Sequence, residues 1–326
     1  MEYVTLGSTG TTVSRFCLGT AMFGLPAPHG KYGGEYATDP SAAHEILDAA
    51  ADAGVNFLDT ANTYGEGNSE EIIGEWLAER DREAFVVASK VYWNHVSPEE
   101  ESLSRKAIRA EIEGTLDRLG TDYLDLYYIH RWDDDTSIPE TLRTLDRLVD
   151  EGVVNHLGIS TAAAWKLAKA LWTSDVEGLE RFEVAQPKFN AAYREPVSDY
   201  LDLTADQGLA VVPYSPLEGG FLTGKYRRDD DAPEGTRGEI VGWDDFEDRQ
   251  WAVLDAVESV ADELDAAPSQ VALRWLADHE RVTAPILGIR TLAQFHENAG
   301  AFDLALSADQ RERITAAYED DASDDE

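Results

Sequence analysis

Eight short apolar runs, separated by longer segments of helical periodicity, restrict what this chain can fold into more than any other feature of its sequence. The runs are FCLG near 16–19, VNFLD at 55–59, AFVVAS at 84–89, YLDLYYIH at 123–130, VNHLGIS at 154–160, FEVAQPKFN at 182–190, LAVVPYS at 209–215 and APILGI at 284–289. Each has the length of a buried strand. Between them lie amphipathic patterns such as SAAHEILDAAADAG, where Ala43, Ile46, Leu47 and Ala50 recur at i, i+3, i+4 and i+7 and share one helix face. SEEIIGEWLAERD, SRKAIRAEIEGTLDRLG, PETLRTLDRLVDEG and AAAWKLAKALW are of the same kind, and several end in Gly, as helix C-termini commonly do. Eight strand-then-helix units in one chain predict an α/β fold, a single (β/α)8 TIM barrel, rather than two doubly wound domains.

YVTL and TTVSRF, joined by GSTG, predict a β-hairpin ahead of the barrel. Two insertions interrupt the rhythm, LPAPHGKYGGEYATDP at 25–40 and an acidic, Gly-containing run at 226–246. Loops of that length in a compact domain commonly serve as lids or binding loops, here at the C-terminal face of the barrel. With no internal repeat and no linker, residues 1–318 form one domain, and the acidic tail EDDASDDE at 319–326 is expected to be disordered.

Charge narrows the partners. The chain has 64 Asp and Glu against 27 Lys and Arg, a formal net charge of -37, so it repels phosphate backbones and is not expected to bind nucleic acid. It also repels itself, unless molar salt shortens the Debye length to about 3 Å. Acidic residues spread along the whole chain therefore suggest a salt-rich cytoplasm such as a halophilic archaeon maintains; ordinary acidic solubility is the plainer alternative. The single Cys17 excludes an internal disulfide framework and a cysteine metal cluster. No secretory signal is visible and no apolar run approaches the roughly 18 residues of a membrane span, so the expected location is cytoplasmic, with no membrane partner. Oligomeric state leaves no signal.

In such a barrel the active site gathers at the C-terminal ends of the strands. Asp59 ends the second strand and Tyr64 follows it in FLDTANTYG; Lys90 ends the third in FVVASK; His130 ends the fourth in DLYYIH. Singly, these read as a turn cap, a loop aromatic, an exposed lysine and a core histidine. Jointly they make chemical sense. A phenol with pKa about 10 is a reluctant acid, and an ammonium beside it favours phenolate. Lys90 can supply that ammonium, Asp59 can hold it charged, and His130 can donate a hydrogen bond to a substrate carbonyl. Lowering the phenol by two or three units takes roughly 3–4 kcal/mol, within reach of one close ion pair. Phe23, Trp93 and Trp132 lie just beyond strand ends, as apolar walls for a substrate or as ordinary packing.

FLDTANTYG, ASKV and YYIHRW, in this order, resemble the Asp, Tyr, Lys and His signature of the aldo-keto reductase superfamily. The likeness covers nearly the whole chain: LGSTGTTVSRFCLGTAMFG near the start, GIS at 158–160, PYSPLEGGFLTGKY at 213–226 and LGIRTLAQFHEN at 287–298. The chain most resembles the branch with bacterial general-stress reductases and potassium-channel β-subunits. The resemblance implies an NADP(H)-dependent oxidoreductase acting on a small aldehyde or ketone, with Asp59, Tyr64, Lys90 and His130 as catalytic residues. It also implies a nicotinamide dinucleotide bound without a Rossmann domain, and no G-x-G-x-x-G occurs here. By the same resemblance Gly19, Thr20 and Ala21 approach the nicotinamide ribose with Asp59, and Ser160, Thr161 and Gln186 hold the carboxamide. Tyr214 stacks on the ring, and Ser215, Pro216, Leu217 and Lys225 follow the pyrophosphate. Gly288, Arg290, Gln294, Glu297 and Asn298 surround the adenosine end, and Arg237 closes over the cofactor. Many relatives carry Asn where this chain has Thr161. Arg290, beside a helix N-terminus near Thr291, suits a 2′-phosphate, which favours NADP(H) over NAD(H).

Three other readings compete. GGFLTGKY mimics a P-loop with Gly219, Gly224 and Lys225, but Tyr226 stands where a Mg²⁺-binding hydroxyl belongs. The seven His residues are scattered without H-x-H or H-E-x-x-H, which argues against a metal-dependent barrel hydrolase and for no metal. A protein that binds NADP(H) as a redox sensor or regulatory subunit, turning over very slowly, would keep the same four residues.

Overall fold

The computed structural model describes residues 1–24, 37–97, 101–194, 197–228, 230–234, 236, 238–239 and 246–319. Most of the 25–40 insertion, Arg237 with much of the 226–246 insertion, and the tail beyond 319 lie outside the described residues.

The chain opens with an antiparallel hairpin, β1 (Tyr3–Thr5) and β2 (Thr12–Ser14), in which Val4 pairs with Val13. A parallel sheet follows: β3 (Cys17–Gly19), β4 (Phe57–Asp59), β5 (Val86–Val91), β6 (Leu124–Ile129), β7 (Val154–Ser160), β8 (Phe182–Gln186), β9 (Ala210–Val211) and β10 (Ile286–Gly288). Neighbours in sequence are neighbours in space, and β10 returns to pair with β3 through Leu287 and Leu18. The last gap is closed by backbone bonds: Thr283 N–H donates to the Val211 carbonyl at 2.8 Å and Ile286 N–H to that of Pro213 at 2.9 Å. The sheet thus curls into the expected barrel.

Every expected strand is present, shortened where the chemistry requires. FEVAQPKFN stops at Gln186 because Pro187 has no N–H to continue the ladder. LAVVPYS keeps only two strand residues before Pro213, although Val212 and Tyr214 still donate to Ala185 and Pro187. β5 runs past the expected Ser89 to Val91, which places Lys90 within the strand.

Helices α1 (Pro40–Asp52), α2 (Asn68–Leu77), α3 (Arg105–Leu119), α4 (Ile138–Asp150), α5 (Ala164–Glu177) and α6 (Ser198–Asp206) cover the outside. Their ends follow local chemistry: the Asp39 side chain accepts from Ser41 and Ala42 N–H at the start of α1, and Gly120 closes α3 at φ 61°. Between β9 and β10 stand α7 (Asp248–Leu264) and α8 (Pro268–Ala277), and α9 (Leu292–Ala299) and α10 (Ala308–Glu319) complete the described chain. Val253, Val257, Val271 and Ile314 form a separate apolar cluster among these helices. Among the described residues no helix is long and apolar enough to cross a membrane.

Strand alternation sorts side chains between two cores. Leu58, Val87, Ile129, Ile159 and Ala185 face the helices. Cys17, Phe57, Ala88, Leu126, Tyr128 and Val184 cluster in the interior with Leu6 and Val13 of the hairpin, which plugs the N-terminal end. Inside that cluster the Tyr128 ring lies over Gly158, its partner on the neighbouring strand; a Cβ on Gly158 would stand 2.3 Å from Tyr128 Cδ1. Gly158→Ala is therefore expected to destabilise the fold by about 1–3 kcal/mol through overpacking. Denaturant unfolding would show a lower midpoint at an unchanged slope.

Candidate active site

Two residues beyond the interior layer, the same alternation sends Asp59 after Phe57, Lys90 after Ala88, His130 after Tyr128, Ser160 after Gly158 and Gln186 after Val184 to the C-terminal mouth. Lys90 Nζ is at the centre. It donates to Asp59 Oδ1 at 2.5 Å, to the Thr60 carbonyl at 2.8 Å and to Tyr64 Oη at 2.9 Å. Lys90 and Asp59 are buried. The second oxygen of Asp59 accepts from Gln186 Nε2 at 2.8 Å, so Gln186, expected only at the cofactor carboxamide, also completes the ion pair. The Tyr64 and His130 rings meet edge-on with centroids 5.8 Å apart, and Trp93 packs edge-on against His130 at 4.8 Å.

Burial pulls the Lys90 pKa down, but Asp59 and Tyr64 together outweigh it and hold the amine above its ordinary value. It stays an ammonium. Burial likewise pushes the Asp59 carboxyl up, against Lys90 and Gln186; with an ammonium at 2.5 Å and an amide N–H at 2.8 Å, the site is built around the anion. The phenol corrects the expectation. Burial raises the Tyr64 pKa more than Lys90 lowers it, so Tyr64 lies above rather than below its ordinary value. Lys90 is shared with Asp59, and desolvation of phenolate wins. Burial, then Lys90 and Arg131, holds the His130 pKa well below the usual imidazole range. His130 is neutral, its Nδ1 buried without a hydrogen-bond partner among the described residues.

Of the three expected walls, Trp93 stands at the mouth, and the partly buried Trp132 has the Lys166 ammonium 5.5 Å from its ring. Phe23 does not belong with them. It is 1% exposed, in the apolar layer between barrel and helices, because the chain turns back after Thr20 and Phe23 N–H donates to that residue's carbonyl.

The described residues expected around a dinucleotide fall at or after the C-terminal ends of β3, β4, β7, β8, β9 and β10. Gly19 pairs with Asp59 and leaves no room for a side chain, since a Cβ would stand 2.5 Å from Ile286 Cγ2. Thr20 is tied down: its hydroxyl donates to the Asp59 carbonyl at 3.1 Å and accepts from Ser69 at 2.8 Å. Ala21 next to it is exposed. Ser160 Oγ lies 3.2 Å from both Gln186 Oε1 and Thr161 Oγ1. Thr161 has φ 47°, a left-handed conformation that suits Asn and costs a β-branched residue roughly 1–2 kcal/mol.

Beyond Tyr214, whose strand pairing with Lys188 extends the sheet, Ser215, Glu218, Gly219 and Gly220 all have positive φ and wind the chain into a tight coil. Lys188 Nζ and Asn190 Nδ2 hold that coil by the Glu218 carboxylate at 2.5 and 2.6 Å, an anchor that the sequence did not single out. Pro216 is buried, and the partly buried Leu217 packs against both apolar clusters. The Lys225 ammonium sits where a Cβ on Gly220 would be 2.7 Å away; burial and the neighbouring Arg290 guanidinium lower its pKa. No carboxylate pairs with Lys225 among the described residues. Two neighbouring cations beside a coil of backbone amides fit an anionic group such as a phosphate. Arg290 N–H donates to Gln294 Oε1 at 3.0 Å, Thr291 caps α9, Glu297 accepts from Ser269 at 3.0 Å, Asn298 is buried and Gly288 is exposed.

Comparison with known proteins agrees with this fold. The Aldo/keto reductase family model matches residues 15–319, and the chain belongs to that family. It is 35% identical to the uncharacterized oxidoreductase YrpG of Bacillus subtilis, over 94% of this chain and 92% of that protein. It is 34% identical to norsolorinic acid reductase B of Dothistroma septosporum, over 99% of this chain and 83% of the relative. A probable voltage-gated potassium channel subunit beta of Arabidopsis thaliana is 32% identical, over 93% and 92%.

The His130 shift makes stability depend on pH. Because its folded pKa is depressed, proton uptake favours the unfolded chain, so its contribution is full above the unfolded value of about 6.5 and declines as pH falls below it. The stability difference between the wild type and His130→Gln should therefore shift against the wild type below that pH, as measured by denaturant unfolding between pH 5 and 8.

Proposed function

We propose that this protein is an NADP(H)-dependent oxidoreductase that reduces an aldehyde or ketone to the alcohol, with Tyr64 as the proton donor. The observation that carries this reading is Lys90 Nζ, fully buried, in contact at once with Asp59 and with the Tyr64 hydroxyl. The dinucleotide, when bound, supplies hydride to the carbonyl carbon. As negative charge develops on the carbonyl oxygen, Tyr64 transfers its proton there and Lys90 compensates the phenolate left behind. A raised phenol pKa suits this order of events. Tyr64 stays protonated at neutral pH and gives up its proton only to the far more basic developing alkoxide. Asp59, held by Gln186, keeps Lys90 charged throughout. Neutral His130 has one ring N–H, which orients the carbonyl oxygen toward Tyr64 without competing as a stronger acid. Trp93 and Trp132 wall the carbonyl side.

For the cofactor, Ser160, Thr161 and Gln186 Oε1, which accepts from Ser160 Oγ at 3.2 Å, would meet the carboxamide, and Gly19, Thr20 and Ala21 the ribose. Tyr214 would face the ring, the Ser215–Gly220 coil and Lys225 the pyrophosphate, and Arg290 with Gln294, Glu297 and Asn298 the adenosine end. The relatives with reductase names support the catalytic reading. The similarity to potassium-channel β-subunits favours one alternative, a slowly turning redox-sensing subunit that binds NADP(H). Comparing single-turnover oxidation of bound NADPH with steady-state kcat separates the two. The acidic surface suits a salt-rich cytoplasm, so assays belong in molar KCl.

Tyr64→Phe should lower kcat by about 10²–10⁴ while leaving the NADPH Kd within about two-fold. A variant with wild-type kcat would remove Tyr64 from the proton step. Arg290→Ala should raise the Kd for NADPH by about ten- to a hundred-fold and leave that for NADH nearly unchanged, measured by fluorescence titration of both cofactors.

A further inference from the structure

Outside the four residues at the mouth, one fully buried carboxylate has no cation partner among the described residues. Glu111, on α3, is 0% exposed, and no Lys or Arg forms an ion pair with it among the described residues. Among the described residues its carboxylate is met by N–H groups. Oε1 accepts from the backbone of His95 at 2.8 Å, Val96 at 2.6 Å and Ser97 at 2.9 Å; Oε2 accepts from Asn62 Nδ2 at 2.9 Å. Successive backbone N–H groups turned toward one point form an anion nest, here filled by the protein's own carboxylate. One turn further along α3, Gly114 gives the loop room, since a Cβ there would stand 2.9 Å from Val96 Cγ2.

The contacts lead to the carbonyl side of the site. Asn62 Nδ2 donates a second bond, to the Trp93 carbonyl at 2.7 Å, and Asn62 precedes Tyr64 by two residues. The ring sequence Trp93, His130, Tyr64 then runs across the mouth, with centroid separations of 4.8 and 5.8 Å. Two loops from neighbouring strands, one bearing the phenol and one bearing the indole, are therefore joined through Glu111.

We infer that Glu111 is a positioning residue that sets the distance from the Trp93 wall to Tyr64, and so the fit of the carbonyl substrate. This rests on the reductase reading. A carboxylate is required because both of its oxygens must accept. Glutamine in its place presents one oxygen and one NH2, and the NH2 cannot accept from Asn62 or from the loop amides. Charge-assisted bonds to the nest would also become neutral ones, about half as strong.

The experiment uses the full chain in molar KCl and two variants. Glu111→Gln should speed hydrogen exchange of amides 95–97 by about ten-fold or more, raise the KM for the carbonyl by about ten-fold, and leave the NADPH Kd within about two-fold. Asn62→Ala cuts the link to the Tyr64 loop but leaves the three nest bonds, so it should raise the same KM without changing exchange at 95–97. A merely structural role would shift thermal stability and kcat while leaving the carbonyl KM alone. Wild-type carbonyl KM in both variants overturns the inference, as does unchanged amide exchange in Glu111→Gln. The exchange measurement needs no turnover. If the wild-type protein reduces no carbonyl, the reductase reading fails by itself, while faster exchange still supports the clamp and unchanged exchange still overturns it.

Discussion

Removing an ammonium from water costs several kcal/mol even after the protein relaxes, and a buried cation survives only where its donors are all answered. Lys90 has a carboxylate, a carbonyl and a phenolic oxygen within 2.9 Å, on the strand end and loop that run from Asp59 to Tyr64. The requirement propagates outward. Asp59 must be held, which occupies Gln186 on the opposite wall; the Asp59 carbonyl accepts from Thr20, which in turn is bound by Ser69 at the start of α2. One desolvated charge thus ties together three strands and a helix, and whatever chemistry Tyr64 performs is exercised beside a cation whose place is set by others.

The barrel supplies the setting through its two-residue period. A strand that points an apolar residue into the interior points its next inward residue at the mouth, so packing and chemistry are successive rungs of the same alternation. The hairpin plug and the Tyr128–Gly158 contact fill the interior below. Packed side chains lie beneath the ion pair, and burial is the largest cause of the shifts of both Tyr64 and His130.

Strand ends were legible in the sequence because strand length, flanking Gly and Pro, and apolar runs are local properties. Asp59, Tyr64, Lys90 and His130 could be read as a set because each falls at the end of such a run. Other features depended on packing between distant segments. Phe23 looked like a wall from its place after a strand, and only the backward turn at Thr20 shows it to be core. Glu218, anchored by Lys188 and Asn190, had no local mark distinguishing it from dozens of acidic residues on a solvated surface. Glu111 had none either.

What the sequence by itself determined was the alternation: which residues lie at strand ends, which faces are apolar, and hence a barrel with an acid, an amine, a phenol and an imidazole on one rim. These follow from neighbours in the chain. Only the tertiary structure decided the balance among them, that the phenol is raised rather than lowered, that Gln186 serves Asp59, and that a carboxylate on α3 joins two loops. Desolvation and hydrogen-bond satisfaction are set by what surrounds a group on every side, and most of what surrounds each of these groups comes from distant parts of the chain.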